Sequence, residues 1–167
     1  SNVTLDGQNV TSSITSGKIG ALLQLRDTTL PNVTAEMNQF TTNLYNLTTS
    51  ANLNTTNSGT NVTNDANHFF ADVNTASGLD NASTIQVNPS LVANAGLLYN
   101  GISGADPTIS SSISAALNSN ATFASAGNFP SSMTTTLSNY AAQIVGQAAT
   151  AANNATTNNT YQSQLTT

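Results

Sequence analysis

From Ile19 to Ala51 one row of positions recurs at alternating steps of three and four residues: Ile19, Leu23, Arg26, Leu30, Val33, Met37, Phe40, Leu44, Leu47 and Ala51. This is a heptad a/d pattern, incompatible with the two-residue period of a strand, and it predicts a helix packed at coiled-coil-like angles. At about 1.5 Å per residue, a helix over residues 17–51 is roughly 50 Å long, more than a compact globule of this size spans, so an elongated domain is expected. Pro31 removes one backbone donor inside the segment. Because the register survives across it, the reading is one kinked, continuous helix. Arg26 is the single charged residue on the seam. Either its stem packs while its head reaches water, or it is buried against a carboxylate that comes from elsewhere, since Asp27 points another way.

Before this helix, Val3-Thr4-Leu5 and the stretch around Val10 flank Asp6-Gly7, a two-residue hairpin signal, and Ser16 reads as a helix N-cap. After it, residues 48–67 are an Asn/Thr/Ser/Gly loop. His68-Phe69-Phe70-Ala71-Asp72-Val73 and Thr84-Ile85-Gln86-Val87 are strand candidates, with Ser77-Gly78-Leu79-Asp80-Asn81 turning between them. Asn88-Pro89 and Asp106-Pro107 each resemble an N-cap with proline at the first helical position. The first opens a short helix with Leu91 and Val92, and the second one with Ile109, Ile113 and Leu117 on one face. A last helix is expected from Met133, through Leu137, Tyr140, Ile144, Ala151 and Ala155. The alanines bury little area, so its second half is the weaker one.

Charged residues make up 5% of the 167 residues, against about 25% in ordinary soluble domains. Asn, Ser and Thr cover the surface instead. With 38% hydrophobic residues in a clear period, the chain reads as folded rather than disordered. The only cations are Lys18 and Arg26 and the net charge is −5. Nucleic acid, which requires clustered Lys and Arg to displace counterions, and anionic membranes are therefore not expected partners. No apolar run approaches the roughly 20 residues of a membrane span. There is no cysteine, which fits either a cytosolic protein or an exported assembly protein; a secreted domain without disulfides is held by its core alone.

Catalytic chemistry needs titratable or nucleophilic groups in a shaped site. The acids are Asp6, Asp27, Glu36, Asp65, Asp72, Asp80 and Asp106, and turns or caps account for most of them. His68 is the only histidine, with Asp65 and Asp72 near it in sequence, too little for a base or a metal ligand set. Gly101 and Gly104 form no phosphate-cradling motif. Sequons such as Asn32-Val33-Thr34 and Asn46-Leu47-Thr48 are what this composition produces by chance. No enzyme, cofactor or metal is expected.

One stretch is more specific. Ser16-Gly17-Lys18-Ile19-Gly20-Ala21-Leu22-Leu23-Gln24-Leu25-Arg26-Asp27-Thr28-Thr29-Leu30-Pro31 resembles the signature of the flagellar hook-associated protein 1 family, where it opens a long helix continued here by Ala35-Glu36-Met37-Asn38-Gln39-Phe40-Thr41. Phe69-Phe70, Ile85-Gln86-Val87-Asn88-Pro89 and the closing Thr136-Leu137-Ser138-Asn139-Tyr140-Ala141-Ala142-Gln143-Ile144-Val145 follow in the family's order across almost the whole chain. The resemblance singles out Arg26, Asp27, Leu30, Pro31, Phe69, Phe70 and Tyr140 as structural motif residues. It implies a structural subunit at the junction of bacterial hook and filament, extracellular and exported without a cleaved signal peptide. Its partners would be like subunits, the hook protein and the second junction protein. The chain resembles the family without its terminal tube-forming helices, so by itself it is expected to be monomeric. Another flagellin-superfamily filament or hook-associated subunit, or a secreted non-enzymatic binding module, is the alternative.

The expected fold is mainly α: an elongated helical bundle with coiled-coil-like packing plus a small β-hairpin. Residues 1–15 form the hairpin segment that joins an upstream domain. Residues 16–167 form the bundle, with a loop and strand insertion at about 52–88. With so few ionisable groups, folding stability is expected to change little between about pH 4 and pH 8. Urea unfolding midpoints measured across that range check this.

Overall fold

A computed structural model of the chain describes residues 2–50, 69–72, 82–96 and 109–165. These residues are mostly helical, with three small antiparallel strand pairs. The expected turn at 77–81, the Asp106-Pro107 cap, Ala51, His68 and Val73 lie outside them, as do residues 51–67 of the expected loop 48–67; its first three residues are instead the end of a helix that runs to Ser50.

The N-terminal hairpin forms where Asp6-Gly7 predicts it. Strand β1 (Thr4–Leu5) pairs with β2 (Gln8–Asn9), Thr4 opposite Asn9 and Leu5 opposite Gln8. Asp6 and Gly7 both take positive φ, 49° and 79°, the pair of left-handed residues that matches the twist of a two-residue hairpin. The Val10 amide donates to the Val3 carbonyl at 2.9 Å, and the Val3 amide donates to Thr11 Oγ1 at 2.8 Å. A single 3-10 turn, Thr11–Ser13, leads on to the first long helix.

That helix is continuous through Pro31, by a device the heptad pattern hides. Helix α1 (Gly17–Gln24) passes into a π turn (Leu25–Thr29) and then into α2 (Leu30–Ser50). The Leu30 amide donates to the Leu25 carbonyl, five residues back. The wider turn directly before Pro31 gives its ring room and absorbs the missing donor without a break. Ser16 has the extended backbone of an N-cap, φ −140° and ψ 172°, but its side chain makes no capping bond.

The expected seam holds only in part. Ile19, Leu30 and Met37 are exposed, and Leu23 and Val33 only half-buried. The seam holds from Phe40 through Leu44 to Leu47, which pack on the core. Leu30, Val33 and Met37 belong to the same helix as these, so what separates them is which positions the other elements cover. There α2 also buries Thr41, Asn43, Tyr45 and Thr48. Thr41 Oγ1 donates to the Met37 carbonyl at 2.7 Å, Asn43 Nδ2 to that of Gln39 at 3.0 Å, and Thr48 Oγ1 to that of Leu44 at 3.0 Å. These polar groups are buried without an unmet bond because their own helix satisfies them.

Strands β3 (Phe70–Asp72) and β4 (Ile85–Val87) pair with Phe70 opposite Val87, shorter than the sequence candidates. The pair lies against α2, where Asn38 Oδ1 accepts the Ala82 amide at 2.8 Å. Helix α3 (Pro89–Ala93) starts at Pro89, with the buried Asn88 accepting the Leu91 and Val92 amides on its carbonyl. Leu91 points inward and Val92 outward. Helix α4 (Ile109–Leu117) buries Ile113 and packs on α2.

The sequence reading misses a third hairpin and misplaces the last helix. Strands β5 (Asn120–Phe123) and β6 (Met133–Thr136) pair, with Phe123 opposite Met133 and Thr122 opposite Thr134. The Thr122 and Thr134 hydroxyls bond across the strands at 3.0 Å. Met133 thus belongs to a strand, and helix α5 runs over Leu137–Leu165. Three consecutive threonines suit a pleated strand better than a helix start. Thr136 then caps the helix, its Oγ1 accepting the Asn139 amide at 3.3 Å.

The core is where this hairpin, α2 and the first turns of α5 meet: Phe123, Phe129, Leu137, Tyr140 and Ile144, with Phe40, Leu44, Leu47, Leu117, Ala121 and Met133 packed around them. A turn between β5 and β6, closed by two hydrogen bonds between Ala126 and Phe129 at 3.1 and 2.9 Å, is pressed onto α2. Gly127 has φ 56°, and a Cβ there would meet the Asn32 carbonyl and come within 2.6 Å of Glu36 Oε1. Gly127→Ala combines left-handed strain with that collision and is expected to cost about 3 kcal/mol, read as a lower urea midpoint with an unchanged slope.

Candidate functional site

The motif residues of the sequence occupy separate places. Arg26 and Asp27 sit on the outside of the π turn as an exposed ion pair, Arg26 Nε to Asp27 Oδ1 at 2.6 Å and Nη2 to Oδ2 at 2.8 Å. Of the two readings of Arg26, burial against a carboxylate is corrected, and the exposed head agrees with the other. Asp27, expected to point another way, is bonded to it. The hydrogen bond to Asp27 raises the Arg26 pKa above its ordinary value, and the same bond holds the Asp27 carboxyl below the usual carboxylate range. Leu30 is exposed beside this pair, and Pro31 opens the second turn after it.

Phe69 and Phe70 meet edge to face, centroids 4.8 Å apart at 75°, at the start of β3 where the Phe69 carbonyl accepts the Asn88 amide at 2.9 Å. They are half-buried, and Ala71 after them is buried. Here the double Phe anchors the β3–β4 pair.

Tyr140 is fully buried. It stacks on Phe123 with centroids 3.9 Å apart and planes 10° from parallel, and tilts against Phe129 at 5.3 Å. Its neighbour is Glu36, a residue the sequence reading passed over. Glu36 is also fully buried, and its Oε1 accepts both the Asn128 amide at 2.7 Å and Asn128 Nδ2 at 3.0 Å. Asn32 Nδ2 completes the clamp by donating to Asn128 Oδ1 at 2.9 Å. A carboxylate that holds a turn in this way fixes where the β5–β6 hairpin docks on α2. The available signal was position: Glu36 lies one residue before Met37, next to the seam rather than on the solvent side.

Among the described residues, two buried side-chain atoms lack a hydrogen-bond partner, Glu36 Oε2 and the Tyr140 hydroxyl. Burial, with a lesser contribution from the charge of Glu36, pushes the Tyr140 phenol above its ordinary value. Among the described residues no three His, Cys, Asp or Glu side chains are grouped to hold a metal ion, and no helix is long and apolar enough to cross a membrane. His68, Asp65, Asp80 and Asp106 lie outside the described residues. Among the described residues, α1, the π turn and α2 present exposed apolar side chains and the Arg26–Asp27 ion pair.

Comparison of the chain with protein-family models, with curated proteins and with solved structures found no match.

Tyr140→Phe removes a buried hydroxyl that makes no bond while keeping the ring stack, so stability is expected to rise by about 1 kcal/mol. Burial of the phenol ties its stability contribution to pH. Its neutral form is favoured in the folded state, so its contribution is complete below the ordinary tyrosine value of about 10 and is lost as pH rises through the folded value. The advantage of Tyr140→Phe over the parent should therefore widen above about pH 10, measured as paired urea titrations at neutral and alkaline pH.

Proposed function

We propose that the chain is a structural subunit of the bacterial flagellum at the hook–filament junction, extracellular, exported without a cleaved signal peptide, and joined to like subunits, the hook protein and the second junction protein by side-to-side packing. The observation that carries this reading is the Ser16–Pro31 stretch, whose resemblance to the flagellar hook-associated protein 1 family runs from the helix start to the proline. In the structure that same stretch is a helix start, a π turn bearing the exposed Arg26–Asp27 pair, and a proline that the helix passes through. Apart from buried Gly20 and half-buried Leu23 and Thr29, its residues are exposed, as expected of positions whose role is contact with neighbours.

The helix α5 supports the reading in a second way. It runs for 29 residues, yet its last buried residue is Ile144. Beyond that point its described side chains are exposed except for half-buried Gln147 and Ala151. A helix polar on all sides gains little from its own chain, and an elongated bundle completed by neighbouring subunits supplies what it lacks. Neutral hydrogen bonds across such contacts contribute about 1 kcal/mol each and do not titrate.

Deleting the gene in its host, imaging the cells by electron microscopy and assaying the medium for flagellin tests the role. Bare hooks with flagellin shed into the medium are expected. Intact filaments would remove the junction reading.

A further inference from the structure

We draw no further inference here: the strongest candidate, the exposed apolar side chains Ile19, Leu22 and Leu25 on the outer surface of α1 and the π turn, carries nothing because nothing in the structure shows what covers them.

Discussion

Tyr140 holds the fold together at one point. Its ring lies flat on Phe123 from β5 and against Phe129 from the turn beyond it, while the start of α5 that carries it packs on α2. Burying rings of this size stabilises by roughly 2–3 kcal/mol each, and the stacked contact adds about 1 kcal/mol. The same side chain lies next to Glu36, so apolar packing and polar docking occur at one place. Glu36 cannot be traded for an apolar residue without freeing the Asn128 turn, and the turn cannot sit there unless residue 127 is glycine. Three elements distant in sequence are thereby placed by two buried side chains.

Away from that cluster the chain solves a different problem, how to cover long helices with almost no charge. Its answer is local. Thr34, Thr41, Thr150, Thr156 and Thr160 each donate a hydroxyl to the carbonyl four residues earlier, and Ser163 does the same. Such bonds satisfy side chains without cross-links to other elements. They explain how Thr and Asn are tolerated on both buried and exposed faces, and why so little of the outer helix surface is committed to its own chain. Among the described residues the Arg26–Asp27 ion pair lies exposed on the π turn.

The π turn joins these themes. It exists because Pro31 lacks an amide, it exposes Leu30, and it brings Arg26 and Asp27 into contact. A proline placed to be absorbed rather than to end the helix thus shapes the surface of the molecule more than its core.

Local signals were enough for part of this. Asp6-Gly7 requires two positive φ values and so a hairpin, Asn88-Pro89 specifies a helix start, and the three/four spacing from Phe40 to Leu47 determined a helix face that packs inward. These depend on a few adjacent residues and on backbone sterics, which a sequence carries in full. The rest was decided by contacts between residues far apart. Nothing near Glu36 announces that Asn128 will cap it. The threonines at 134–136 become a strand only because Asn120–Phe123 lies beside them. Whether Ile19, Leu30 and Met37 face the core or the solvent depended on which stretch of the helix the hairpin and the last helix cover. Period alone could identify an apolar row, but only the tertiary structure chose which part of it to bury, because burial needs a second surface, and the hairpin with the first turns of α5 supplies one to Phe40, Leu44 and Leu47.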